Sequence, residues 1–278
     1  MAMQQKKSQS TSVKDFKGEF DKLFQKLKDG ENFAFSRFSD GEVYILKGEK
    51  LVLADDHYIT GERSGGGVYT KEEHKSFDPE KDSFFQEKLI EALQHRQENY
   101  FKGLTGVSDE DIAGKDAFQF QLDLCGEGDE EHLTYSNLFI NNNYPRFMQE
   151  MLPVICEKEI VFVANEAAKF DELPLKIIKH FPVGTNCIIN DYHLVEEIKN
   201  WIKSNNIENT IFLFSASTLS NYIIHECFKE HSNNTYLDVG TCLSPWMGLE
   251  GWKHSRAYLQ HWILKMHNKY GTQEDSWI

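Results

Sequence analysis

Apolar positions along this chain change period several times, and each period predicts an element. Phe16, Phe20, Leu23, Phe24 and Leu27 recur every three to four residues, which predicts an amphipathic helix over 14–29 stopped by Gly30. A strand over 32–38 follows, built on Asn32-Phe33-Ala34-Phe35, and Val43 to Leu46 predicts a short helix. Leu51 to His57 leads into Gly61-Glu62-Arg63-Ser64-Gly65-Gly66-Gly67, whose composition predicts a flexible loop able to serve as a lid. Phe84, Phe85, Leu89, Ile90, Leu93 and Phe101 predict a helix over 83–101, and the alternation at 117–124 predicts a strand.

From residue 138 the pattern becomes regular. A helix from Leu138 to Ile155 precedes the wholly apolar strand Ile160 to Ala164, and a helix near 166–180 precedes a strand from Cys187 to Asn190. A helix over 191–204, the strand Thr210 to Phe214, a helix over 217–230 and the strand Thr235 to Val239 continue the alternation. Apolar strands alternating with helices predict an α/β fold with a Rossmann-like, mostly parallel sheet flanked by helices. Trp252, Tyr258, Leu259, Trp262, Ile263 and Met266 predict a closing helix over 252–266, which either buries itself within the chain or supports a homodimer. No internal repeat or extended low-complexity segment is evident.

The chain has 278 residues, enough for one large core, and we expect a single domain over 14–278 behind a disordered polar leader over 1–13. No stretch approaches the roughly 20 apolar residues of a membrane-spanning helix, so a soluble, cytoplasmic protein is expected. The formal net charge of -14 argues against a general nucleic-acid surface. Five cysteines, an odd number without a C-x-x-C pair, indicate reduced thiols and no zinc knuckle.

The candidate chemistry concentrates in Arg37-Phe38-Ser39-Asp40-Gly41-Glu42, directly after an apolar run. Two carboxylates at a strand end offer hard oxygens of the kind that hold Mg²⁺ or Mn²⁺ against a diphosphate, and Arg37 supplies a planar fork for phosphate or carboxylate. The same letters also read as an Asp-Gly turn, or as a helix N-cap at Ser39-Asp40 with Glu42 in the first turn. Further polar strand ends occur at Ala164-Asn165-Glu166, Asn190-Asp191, Ser215 to Thr218 and Asp238-Val239-Gly240-Thr241. Ser215, Ser217 and Thr218 open a helix and suit either a phosphate at the positive end of its dipole or an ordinary cap. Neither G-x-G-x-x-G nor G-x-x-x-x-G-K-[ST] is present, which disfavours the dinucleotide and P-loop classes. Glu166 and Asp191 suit ribose hydroxyls, an acceptor or helix caps. Among the aromatic residues near loops, Tyr135, Tyr144, Trp246 and Trp252 are candidate sugar platforms, with Trp246 first because Pro245 and Gly248 place it in a turn.

Arg-Phe-Ser-Asp-Gly-Glu together with the late strand ending in Tyr-Leu-Asp-Val-Gly resembles the GT-D glycosyltransferase fold family, which usually reads Arg-Phe-Gly-Asp-Gly-Glu and Asp-Ile-Gly at these places. The resemblance covers about 32–60 and 158–245, and Ser39 stands where the family has glycine. It implies sugar transfer from a nucleotide-sugar donor, a UDP sugar first among them, to a glycan acceptor. It also implies that Asp40 and Glu42 form an Asp-x-Glu motif for Mn²⁺ or Mg²⁺, with Arg37 beside it. Ser215, Ser217, Thr218 and Asp238 match the late donor-side layout. A divalent ion and Arg37 would neutralise the departing diphosphate. The candidates for removing the acceptor's proton are Asp55, Asp56 and His57, with His57 taken forward. Two rivals are a Rossmann-like nucleotide-binding module in which Asp40-Gly41-Glu42 is only a turn, and a metal-dependent phosphohydrolase, for which the chain lacks dense Asp and His clusters.

Overall fold

The computed structural model describes residues 14–106 and 116–251, with Lys253, Arg256 and Leu259 beyond them. The expected leader over 1–13 and most of the expected closing helix over 252–266, Trp252 included, lie outside the described residues.

The first helix, Phe16–Asp29, starts at Asp15, whose carboxylate accepts the N–H groups of Lys17 and Gly18, and ends at Gly30 with φ of 73°. Phe20, Leu23 and Leu27 form its buried stripe. Strand β1, Ala34–Phe38, is the third strand of a seven-stranded sheet in the order β7-β6-β1-β11-β10-β8-β9. Its other members are β6 (Tyr100–Leu104), β7 (Leu133–Tyr135), β8 (Glu159–Asn165), β9 (Lys176–Val183), β10 (Ile211–Ser215) and β11 (Thr235–Asp238). Every neighbouring pair is parallel. The apolar strands follow from burial on both faces: Phe212 and Phe214 join one core cluster, and Ile211 and Leu213 join the other. The helices Ser83–Gln94, Leu194–Asn205 and Leu219–Glu230 cover the first face, while Phe16–Asp29 and the helical run near 144–156 cover the second. The expected α/β parallel sheet is present, and among the described residues no helix is long and apolar enough to cross a membrane.

Several local expectations are corrected. Residues 117–124 belong to a helix, Ala117–Cys125, because the buried positions are Ala117, Gln121 and Cys125, spaced by four. Gln121 closes the arrangement by donating to the Phe38 carbonyl and accepting the Thr105 N–H, both at 2.9 Å. The helix expected near 166–180 is absent, since the chain runs through turns into β9 there. β9 is an edge strand, where exposed Ile178 and a proline at 182 are tolerated. Cys187–Asn190 is a short helix, a run too brief for periodicity to separate from a strand. The helix expected to reach 101 stops at Gln94, and Phe101 lies in β6. The helix expected from Leu138 starts at Tyr144 and contains a π turn, Phe147–Met151, just before Pro153, whose ring nitrogen has no N–H to give.

The segment expected as a flexible loop is also ordered. β3 (His57–Thr60) and β4 (Arg63–Gly66) form a hairpin around Gly61, which has φ of 62°. With β2 (Leu51–Leu53) and β5 (Lys75–Phe77) they make a four-stranded antiparallel sheet in the order β4-β3-β2-β5. Two contacts dock it over the larger sheet. Asn186 donates its N–H to the His74 carbonyl and accepts the Ser76 N–H, while Glu72 accepts the Glu250 N–H at 2.6 Å and also the Gly251 N–H.

Candidate active site

Leaving β1, the chain builds outward through β6 and β7, then returns from the opposite edge through β10 to β11 beside β1. In a parallel sheet the switch between the two directions opens a crevice at the strand C-terminal ends. A cleft of about 720 Å³ occupies that place, roofed by the antiparallel sheet. Arg37, Asp40, Glu42, Ser215, Ser217 and Asp238 all line it, so six residues singled out from the sequence converge.

Arg37 is oriented by three partners. Its Nε donates to the Ser136 carbonyl, Nη2 lies 3.3 Å from Ser39 Oγ, and Nη1 lies 3.7 Å from Asp238 Oδ1. Gly240 makes this pose possible, because a Cβ there would sit 1.6 Å from Arg37 Nη1, and its φ of 49° already favours glycine. Gly103 acts similarly one strand away: a Cβ would meet the Ser136 Cα at 2.8 Å, and Ser136 holds Arg37.

Asp40 and Glu42 open the helix Asp40–Leu46 and play different parts. Glu42 Oε2 accepts the Ser39 N–H at 2.9 Å and Oε1 accepts the Thr218 hydroxyl at 2.6 Å, so Glu42 is a buried cap residue tied to the turn after β10. Thr218 lies wholly buried beneath the cleft and fastens Glu42. The Asp40 carboxylate opens onto the cleft and carries no bond among the described residues. The helix-cap reading of Ser39 with Glu42 in the first turn is thus what the structure shows, and Asp40 is left facing the cleft. Ser217 stands exposed at φ of 50°, an uncommon backbone state for serine.

Asp238 Oδ1 accepts the Gly240 N–H at 2.9 Å. Burial pushes its carboxyl up to about 7; Arg37 opposes the rise and nearby Glu42 adds to it. The unfolded chain would release this proton near the ordinary carboxylate value of 3.8, so between that pH and about 7 the folded state holds the extra proton. Stability from this group therefore falls as pH rises through the window. An Asp238→Asn variant escapes the loss, so its melting temperature relative to the parent is expected to climb from pH 4 to pH 7 in a thermal-melt series. A flat difference would show that Asp238 ionises normally.

Other sequence candidates fall elsewhere. His57 is exposed on β3, 2.8 Å from Asp56, and Asp55 pairs with His74; none of the three acids and bases expected there lines the cleft. Asp191 accepts the Gly184 N–H, and Glu166 is exposed outside the cleft. Tyr135 donates to the Lys14 carbonyl, Tyr144 to the Cys242 carbonyl, and Trp246 packs against the second core cluster, so none of these rings reaches the cleft. The rings that do are those of Tyr44, Tyr58, Tyr69 and His74. Lys75, 3.4 Å from Ser217 Oγ and close to Gly41, is a further cation that no local pattern announced. Asn137 also lines the cleft, and its buried side-chain oxygen has no partner among the described residues.

No protein-family model matches this chain, and no curated protein matches its sequence. Two solved structures do resemble it. One, described as the highly conserved domain of unknown function 1792 with a distinct glycosyltransferase fold, is 11% identical with a TM-score of 0.55. The other, a selenomethionine-substituted structure of the same domain, is 14% identical with a TM-score of 0.53. Each match covers 85% of this chain and 80% of the other. The chain therefore has that distinct glycosyltransferase fold, the GT-D architecture its motifs resemble.

Proposed function

We propose that the protein transfers a sugar from a nucleotide-sugar donor, a UDP sugar first, to a glycan acceptor. The observation that carries this reading is the meeting of Arg37, Lys75, Asp40 and Asp238 in one cleft at the switch point of a glycosyltransferase fold. Arg37 and Lys75 would hold the diphosphate, and Ser215 and Ser217 would donate hydrogen bonds to its oxygens. In the transfer an acceptor hydroxyl oxygen bonds to the anomeric carbon as the bond from that carbon to the diphosphate oxygen breaks. The hydroxyl proton passes to Asp238, whose carboxyl is poised near neutrality, in place of the His57 expected from sequence. Arg37 and Lys75 offset the charge left on the diphosphate.

The donor set fits a divalent ion only of the phosphate-shared kind. Among the described residues no three His, Cys, Asp or Glu side chains are grouped to cage a metal, and Glu42 already accepts two hydrogen bonds. Mg²⁺ and Mn²⁺ are commonly held by one or two carboxylates plus phosphates, which Asp40 and the remaining lone pairs of Glu42 can supply. Such an ion would add Lewis-acid stabilisation of the leaving diphosphate.

The test is release of nucleoside diphosphate from a panel of nucleotide sugars, with Mn²⁺ and with EDTA. One donor is expected to be hydrolysed slowly with the metal, and Asp40→Asn to lower that rate by about 10²-fold, in the range of losing one transition-state contact. The engaged oxygens of Glu42 favour the rival of a nucleotide-binding module. Nucleotide binding indifferent to EDTA, and equal in parent, Asp40→Asn and Glu42→Gln, would establish that rival.

A further inference from the structure

The antiparallel sheet turns most of one face to the cleft. Its register pairs Leu51 with Thr60 and Leu53 with Tyr58, then Thr60 with Arg63. Leu53 also pairs with Lys75 across β5. Paired residues share a face and alternate residues along a strand do too, so Leu51, Leu53, Tyr58, Thr60, Arg63 and Lys75 form a single surface. All six line the cleft, whereas Val52, Ile59, Ser64 and Ser76 of the opposite face do not. Opposite Tyr58 stands Gly65, where a Cβ would come within 2.9 Å of the ring; glycine leaves the tyrosine its place.

We propose that this face is the acceptor subsite, and that it takes a pyranose ring. The inference rests on the transferase reading above. The apolar C–H face of a pyranose matches Leu53 and the half-buried ring of Tyr58, while its hydroxyls meet Thr60 and Arg63 at the same surface. The other wall of the cleft suits the donor. Arg37 and Ser217 lie there with Lys75 reaching across to Ser217, and the unpartnered Asn137 oxygen offers an acceptor for a nucleoside N–H or O–H. Lys75 sits at the boundary, on the sheet face by register but beside Ser217 by contact. A sugar on Tyr58 and a diphosphate at Arg37 and Lys75 then share one cleft of about 720 Å³. The hairpin 57–66 thereby chooses the acceptor without touching the phosphates.

Two binding measurements on the full chain separate this proposal from its premise. UDP affinity with Mn²⁺, by calorimetry, reports the donor site. Saturation-transfer NMR on the UDP-loaded protein, with the methyl glycosides of glucose, galactose and N-acetylglucosamine as probes, reports the acceptor site. At least one glycoside is expected to bind. Tyr58→Ala is expected to weaken it about tenfold or more, Thr60→Val severalfold, and Ser64→Ala on the outer face not at all, with UDP affinity unchanged throughout. Thr60→Val keeps the side-chain shape, so it carries the test if Tyr58→Ala fails to fold. Absence of glycoside binding by the UDP-loaded parent, or glycoside binding unchanged in both variants, overturns the proposal. Loss of UDP affinity in Tyr58→Ala also overturns it, because the ring then serves the donor. Failure of the parent to bind UDP counts instead against the transferase reading.

Discussion

Replacing Arg37 by alanine is expected to slow donor turnover by about 10²- to 10³-fold, the usual cost of removing one preorganised donor aimed at developing charge. Arg37 is the strongest candidate for that part because the fold has already oriented it. The Ser136 carbonyl, Ser39 Oγ and Asp238 surround its guanidinium, so little reorganisation is left for the reaction itself. Arg37→Lys should recover little, since an ammonium cannot reach three partners and a phosphate from one plane. Gly240→Ala is the sharper experiment. It keeps the arginine but places a methyl group 1.6 Å from Nη1 and 2.8 Å from Cζ, so the side chain must leave its seat. The variant is expected to lose turnover nearly as far as Arg37→Ala while retaining its fold by circular dichroism. Turnover within threefold of the parent would show that the seat is dispensable and that Arg37 works from another position.

Lys102→Met is expected to destabilise the protein by about 3–5 kcal/mol, read from urea unfolding, the range for stranding one member of a buried ion pair. Lys102 on β6 is wholly buried and its ammonium meets the equally buried Asp129, with the Leu93 and His95 carbonyls at 2.8 and 3.0 Å. Removing the cation leaves the buried Asp129 carboxylate with only the His132 imidazole, 3.4 Å from Oδ1, beside it. The double variant Lys102→Met with Asp129→Leu is expected to recover most of the loss, because an apolar pair of similar volume has no charge to desolvate. A double variant as unstable as the single one would locate the cost in packing instead. The pair bears on the site, since Lys102 is registered against Ser36 and the next residues, Gly103 and Arg37, are registered against each other.

Much of the sheet was legible in order. Strands such as Ile211–Ser215, apolar up to their last residue, are short, carry Ile and Phe, and are bounded by polar turns, so period and length agree. Legibility failed where period was ambiguous. Phe118, Phe120, Leu122 and Leu124 alternate like a strand and are half-buried against the core, yet the fully buried positions, Ala117, Gln121 and Cys125, follow the helical spacing of four. It failed again at the glycine-rich hairpin, because glycines in strands resemble a loop until a neighbouring ring, here Tyr58 over Gly65, explains them. Within the acidic run 127–131 no local pattern marks Asp129, which is buried against Lys102.

The sequence by itself determined the α/β class, the acidic motif after β1 and the polar ends of β10 and β11, because strand period, glycine and carboxylate chemistry are local properties of the letters. The tertiary structure alone decided which of those residues meet. It turned Glu42 into a cap held by Thr218, left Asp40 open, brought Lys75 from the small sheet to Ser217, and set exposed His57 outside the cleft that buried Asp238 lines. Contacts such as Glu42 with Thr218, 176 positions apart in sequence, depend on strand order and crossover. Burial, which raises the Asp238 carboxyl, depends on everything packed around it, and no window of sequence contains that sum.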